Sequence, residues 1–590
     1  MMNSSIQQVY KDVIEKQWKD FDKQWLALKT RRGPAYNYHT NVRDAEVHLI
    51  RESFYFSLSL LDRQDEGDAE LAAQMIGCLL DFQELDREHP YYGIWPYYME
   101  ESVADMASPD RNWADFCGKA LIQAYVDHGD KLPAELQGRI KNSLEAAAEL
   151  IKERNVLPSY TNICIMGTYV ALLAGELLDN KDLFTYGRSK LKLLHEYCTL
   201  HGAFTEYNSP TYTIVAIEDL SLMLRHIRDT ASLEMIRELH DMAWASIAEH
   251  YHSTTGQWAG PHSRSYETLQ GKGLLSFLQL AGQGRLHFLD EDELEISALW
   301  VRVGLNMPEQ YVSYFKESRA ASYSEKVIVK GAIPVVASSY LTPELALGSF
   351  NHCDLWNQRR PLTAYWGERG HASSLRFRCL HDQYDFSSGL LHTVQHRGML
   401  LGIAHFCADH GDKHFVLDPI HGVVKATSLL FRFEFGGERS QLVMPEQIEA
   451  GKPLLIRSPY VTIGLVFEDY RFGAYIPQLR VIEEETTTSL EIILYEGAIK
   501  ELKLTELKEA HLAFGLVVEN ANGSEEEILA KLAGISTVNK EGQLQLAYED
   551  PCKKLELQVP TGVLPFRQTM EQAAGRIEIK LEAGAPIWSV

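Results

Sequence analysis

Four short segments of the chain hold side chains able to move or fix protons. The richest is His201–Leu224, HGAFTEYNSPTYTIVAIEDLSLML, in which Glu206, Tyr207, Asn208 and Tyr212 follow closely on one another. The second is Trp258–Tyr266, WAGPHSRSY. Its His262, Arg264 and Tyr266 alternate, so an extended backbone points all three the same way. The third is Tyr160-Thr161-Asn162, and the fourth is Tyr36-Asn37-Tyr38-His39 with Arg43 and His48 nearby. Each also has a structural explanation. Tyr212 can pack at a helix end, Asn162 can cap the helix that follows it, and Arg264 can pair with an acid while His262 acts as a cap.

The second half of the chain gathers histidines: His352, His371, His381, His392, His396, His405, His410, His414 and His421. Cys407, His410 and His414 are donors that zinc accepts, although their spacing matches no closed four-ligand pattern. A structural metal in this half therefore stays open. Carboxylates for hydrolysis would come from Asp44, Glu46, Asp105, Glu206 and Asp219, none of which forms a recognisable pair in sequence.

These residues need elements to position them. Ser209 before Pro210 predicts a helix start, and Val215, Ala216, Leu220 and Met223 continue at helical spacing, which places Tyr212 on the buried side of the first turn. The same period predicts helices over Val42–Leu61, Asp68–Leu85, Trp113–His128, Pro133–Glu153, Asn162–Leu178, Leu183–Leu200, Tyr212–Arg228, Ser232–His250 and Glu267–Leu280. About nine or ten helices with short connections, hardly any strand signal and no fixed repeat imply an irregular toroid of antiparallel hairpins. Around Arg319–Lys326 the period changes. Short alternating runs at Val327–Val336, Leu375–Arg378, Val423–Phe435, Tyr460–Glu468, Leu490–Tyr495, Leu555–Val559 and Ile577–Leu581 predict antiparallel strands. The expected fold is multidomain α+β. It has an N-terminal (α/α) toroid over residues 1–320 and an antiparallel β-sandwich over 321–590, with a subdivision near 450 and one short helix near Ser524–Ala533.

Bulk properties narrow the partners. The formal net charge of −24 argues against nucleic acid, and an anionic ligand needs basic residues gathered locally. The 28 tyrosines and 10 tryptophans suit sugar-stacking clefts as well as large cores. No apolar run is long enough to span a bilayer. The eight cysteines are scattered and suit free thiols in a reducing compartment, and MMNSSIQQVYKDVIEKQWKDF reads as an amphipathic helix rather than a leader. The expected location is the cytoplasm.

The segment GAFTEYNSPTYTIVAIEDL resembles the loop-and-helix motif of heparinase II/III-type polysaccharide lyases, at Gly202, Glu206, Ser209-Pro210, Tyr212 and Glu218-Asp219-Leu220. Those families carry an Asn or His on an earlier helix start, where Asn162 stands here. Their Gly-His-Ala-Asp signature is echoed by Gly370-His371-Ala372-Ser373, without the Asp. GPHSRSY resembles a stretch in toroid lyases acting on glucuronate or alginate. The resemblance implies a helical toroid followed by antiparallel sheets and an acidic oligo- or polysaccharide as partner. It implies β-elimination at a 4-linked uronic acid, leaving an unsaturated uronate. Asn162 would neutralise the sugar carboxylate with help from Arg264 or His262, and Tyr212 would protonate the leaving oxygen. An ordinary phenol has a pKa of about 10, so Tyr212 could also be the base of a syn elimination only beside a cation such as Arg264. An anti elimination needs a histidine, with His262, His371 and His396 in that order. Tyr207, Asn208, Trp258, Tyr266 and Glu206 would bind substrate. No metal is required. A glycoside hydrolase, a uronate epimerase and a non-catalytic carbohydrate-binding protein are the alternatives.

Overall fold

The computed structural model describes residues 2–35, 37–411, 420–446 and 448–580, so Tyr36, His414 and Leu581 lie outside the described residues. The chain forms two compact units. The first is Met1–Glu206, Tyr212–Ala245 and Gly271–Val312; the second is Tyr207–Thr211, Ser246–Gln270 and Ser313–Val590. Two excursions of the helical half thus belong with the sheets, and they carry much of the two richest segments.

The helices of the first half are α1 Met2–Trp18, α2 Ile50–Arg63, α3 Asp68–Leu80, α4 Trp113–His128, α5 Ala134–Arg154 and α6 Thr161–Leu177. They continue with α7 Lys181–His201, α8 Tyr212–His226, α9 Thr230–His250, α10 Lys272–Ala281 and α11 Ala298–Val303. Consecutive pairs α2–α3, α4–α5 and α6–α7 pack as hairpins. Between hairpins α2 packs on α4, α4 on α6, α6 on α8 and α8 on α11, and α11 returns to α2, closing a ring; α3, α5 and α7 form an outer layer. Sequence accounts for the layering. α6 is buried all round from Thr161 to Gly175, as an inner helix must be, whereas α7 buries one stripe that includes Leu183, Leu191, Leu194 and Cys198. Glycine lets the two backbones meet: a Cβ on Gly175 would lie 2.4 Å from the Phe184 nitrogen, and one on Gly187 would lie 2.8 Å from Leu172.

Three local expectations are corrected. The helix expected over Val42–Leu61 begins with a strand, Ala45–Leu49, in a three-stranded sheet with Phe21–Asp22 and Ala27–Arg32. Cross-strand partners explain it, with Val47 opposite Thr30, Glu46 opposite Arg31 and Leu49 opposite Leu28. α8 begins at Tyr212 rather than around Pro210, and the Ser209 hydroxyl donates to the Arg264 carbonyl at 2.6 Å. Residues 267–271 stay non-helical before α10, held by Gln257–Gln270 side chain–backbone bonds of 2.7 and 3.1 Å.

The second unit is built on a nine-stranded and a six-stranded antiparallel sheet. Their shared core contains Phe377, Phe431, Phe433, Phe467 and Phe514. The other face of the six-stranded sheet buries Val394, Leu401, Ile403 and Val517 against a four-stranded sheet of Ile535–Lys540, Gln543–Glu549, Lys553–Pro560 and Ala574–Ile579. The terminal sheet thus starts at Ile535 rather than near 450, because strands such as Val461–Phe472 and Ala510–Asn520 are interior to the six-stranded sheet. The short helix is Glu525–Ala533, capped by Ser524.

Candidate active site

Because an outer helix returns the chain between successive inner ones, α2, α4, α6 and α8 run the same way and their first residues share one rim. At that rim α6 has no side-chain cap of its own. The Glu206 carboxylate takes the place of one, accepting the Asn162 backbone N–H at 2.8 Å. It also accepts from the Asn162 side-chain amide, at 2.8 Å to Oε1 and 2.7 Å to Oε2. Both residues are buried. Asn162 is therefore not the helix cap but is held by one. Tyr212 stands half-buried in the first turn of α8.

An aromatic strip follows the same rim. Tyr38 packs on His39 with ring centroids 3.9 Å apart, His39 meets Tyr97 at 5.1 Å, and Tyr97 meets Trp113, the first residue of α4, at 4.5 Å. Asn112 accepts from Arg154 at 2.7 Å and donates to the Tyr160 hydroxyl at 3.4 Å, which brings the strip to the start of α6. Tyr97, Trp113 and Asn112 were missed from the sequence; the aromatic run YYGIWPYY was the available signal for Tyr97.

The middle of the ring is crossed by a buried ion pair. Lys119 of α4 meets Asp219 of α8 at 2.7 Å. Burial pulls the Lys119 pKa down, but Asp219, Tyr55 and Glu218 outweigh it and leave it raised. Burial pushes Glu218 up to about 7, against the opposing pull of Lys119, and its Oε1 accepts from the Trp300 indole at 2.6 Å. The Glu218-Asp219 pair of the motif thus joins α8 to α4 and α11.

In the sheet unit, Asn208 is the hub. It is buried with φ 49°, a left-handed conformation that Asn tolerates better than most residues. Its amide nitrogen donates to the carbonyls of Ala259 at 2.7 Å and Pro261 at 3.0 Å, its side-chain oxygen accepts from the Trp258 indole, and its carbonyl receives His262 Nδ1 at 2.5 Å. His262 is wholly buried, and burial together with nearby His250 and Arg360 lowers it to about 3. Tyr207 is buried and donates to His250 Nε2 at 2.9 Å; His250 Nδ1 is committed to the Ser246 carbonyl, so Nε2 is the acceptor. Trp258 is likewise wholly buried. Arg264 is half-buried, donates to Gln358 Oε1 at 2.9 and 2.7 Å and lies 5.5 Å from the Trp356 ring. Tyr266 is 55% exposed, and His371 is exposed opposite Glu368 at a hairpin turn. His396 is half-buried and packs on Tyr323.

Asn162, Glu206 and Tyr212 are thus in the helical unit, and Tyr207, Asn208, Trp258, His262, Arg264, Tyr266 and His371 are in the sheet unit. Of the carboxylates considered for hydrolysis, Glu206 serves Asn162, Asp219 serves Lys119, Glu46 lies 3.2 Å from Lys29, and Asp105 forms a capping box with Ser102. Among the described residues, the one set of three donors close enough to share an ion is Cys407, Asp409 and His410.

Residues 11–272 match a family described as a domain of unknown function, DUF8769. No curated protein matches the chain. Among solved structures, heparinase III is similar over 92% of this chain and 85% of its own, with 11% identity and a TM-score of 0.46. A chondroitin AC lyase of Streptomyces coelicolor A3, solved in complex with chondroitin sulphate, is similar over 87% of this chain and 84% of its own, with 7% identity and a TM-score of 0.44. Heparinase III from the BT4657 gene is similar over 90% and 84%, with 9% identity and a TM-score of 0.36. The likeness to these lyases is one of fold alone.

Proposed function

We propose that the chain is a polysaccharide lyase that cleaves a 4-linked uronic acid glycan by β-elimination. The observation that carries this reading is the bond between Asn162 and Glu206. The lyase-like motif names the two separately, and in the fold one carboxylate holds both the backbone and the amide of the other. A carboxylate in that role fixes the direction of an amide donor at a helix start, where a sugar acid would be neutralised. The half-buried position of Tyr212 at the start of a neighbouring inner helix suits a phenol that meets a polymer.

The proton next to a charged carboxylate is poorly acidic, so the reaction needs a neutralising group, a base and an acid. We assign the first job to Asn162, held by Glu206. Tyr212 takes the proton as phenolate and returns one to the leaving sugar oxygen, a syn course that uses one residue twice. Burial of the His262 ring and commitment of its Nδ1 to Asn208 favour this course over a histidine base. His262 then positions the 207–209 loop.

The test is incubation with glucuronan, alginate, hyaluronan and heparan oligomers, followed by ultraviolet absorbance and product mass. An absorbing, unsaturated end group on one of them supports the reading. Products that have gained water and lack the double bond would replace it with hydrolysis.

A further inference from the structure

The segment after the strand Met399–Phe406 is outside the elimination chemistry, yet it is held with unusual care. Cys407 is wholly buried, and its backbone N–H donates to the Ser388 carbonyl at 2.8 Å. Ala408 donates to the Leu564 carbonyl at 2.9 Å, and Asp409 accepts the Phe566 backbone N–H at 2.7 Å. The His410 ring stacks on Phe566 with centroids 4.6 Å apart, and its Nδ1 lies 3.1 Å from the Ser387 carbonyl. A carbonyl only accepts, so Nδ1 carries the proton and Nε2 the lone pair. This arrangement, an imidazole oriented through its other nitrogen and a carboxylate fixed by a backbone N–H, is how metal ligands are usually supported.

The cysteine sulfur, an oxygen of Asp409 and a ring nitrogen of His410 all lie within 4.8 Å of one another. A second observation points to a cation. Asp354 is only 8% exposed; its Oδ1 accepts from Arg359 at 3.2 Å, and its Oδ2 is buried without a hydrogen-bond partner. The sheet register places Asp354 opposite Leu390, beside the Gly389–Phe406 pair that leads into Cys407. A dication would be held by the Cys407 sulfur as thiolate and would compensate the Asp409 carboxylate.

We propose that Cys407, Asp409 and His410 form a zinc site at the end of the strand Met399–Phe406. The mixed sulfur, nitrogen and oxygen donor set suits zinc and does not suit the hard cations calcium and magnesium. Of the three donors expected from the sequence, Cys407 and His410 meet here with Asp409; His414 lies outside the described residues. The site is independent of the lyase reading.

The experiment is a titration of full-length, chelator-stripped protein with Zn²⁺ against a chromophoric chelator, repeated with Co²⁺. One equivalent of Zn²⁺ and a thiolate-to-cobalt charge-transfer band are expected. Cys407→Ser and His410→Ala should each weaken binding by about 100-fold or more. Cys552→Ser, at an exposed cysteine of the terminal sheet, should bind like the wild type. Zn²⁺ should raise the unfolding midpoint of the wild type and not that of Cys407→Ser. Absence of binding to the wild type, or equal binding by folded Cys407→Ser, overturns the proposal. If Cys407→Ser does not fold, the same titration of Asp409→Asn, at an exposed residue, decides it: unchanged affinity overturns the site and weakened affinity upholds it.

Discussion

Glu206 reaches Asn162 through both of its oxygens, holding the side-chain amide at 2.8 and 2.7 Å and the backbone N–H at 2.8 Å. The pair sits in a buried rim of the helical unit, so the carboxylate acts at once as the missing cap of α6 and as the orienting group for an amide. The next residue, Tyr207, already belongs to the sheet unit.

This pairing sets the first prediction. Glu206→Ala leaves a buried amide and a buried backbone N–H without their acceptor and should cost about 2–4 kcal/mol in urea unfolding. Asn162→Ala should cost less, since a carboxylate still meets the helix N-terminus. The double variant should fall short of the sum by about 1 kcal/mol or more. Strict additivity would show that the two side chains do not act together.

Asn208 carries the second prediction. Asn208→Ala would strip acceptors and donors from Ala259, Pro261 and Trp258 at once, inside a packed region and at positive φ. A loss of about 3 kcal/mol or more is expected. A variant as stable as the wild type would remove Asn208 as the hub of this segment.

Glu218 carries the third, a pH dependence. Its carboxyl titrates at about 7 in the folded chain because burial penalises the charge, against an ordinary value of 4.5. Between those values the folded state keeps a proton that the unfolded state has lost. Its contribution is complete below the ordinary value and is lost as pH rises through about 7. The difference amounts to about 3 kcal/mol. Glu218→Gln keeps an acceptor for Trp300, so it should gain stability relative to the wild type on going from about pH 5 to about pH 8. A wild type–variant difference that stays flat over that range would contradict the shift.

Much of this architecture was legible in the sequence because hydrophobic period is a local property. The start of α6 at Thr161, just before Asn162, and the change to strands around Arg319–Lys326 both follow from it. What the period could not supply was partnership at a distance. Val47 reads as helical until Thr30 is known to lie opposite, and the bond from the Ser209 hydroxyl to the Arg264 carbonyl joins residues far apart in sequence. Trp258 and His262 look like ligand-facing residues in sequence, because a buried hydrogen-bonding role for an indole or imidazole depends on Asn208, many residues away. The sequence marks Tyr38 and His39 but not their continuation to Tyr97 and Trp113, which come from separate segments.

The central claim is that Tyr212 moves the proton in an elimination reaction. The most direct measurement compares wild type and Tyr212→Phe on the most reactive uronate oligomer, by the rate of unsaturated product under single-turnover conditions. The predicted result is a rate lower by about 10²–10⁴, with the unfolding midpoint and substrate affinity close to those of the wild type. A folded Tyr212→Phe that forms the unsaturated uronate at the wild-type rate would contradict it.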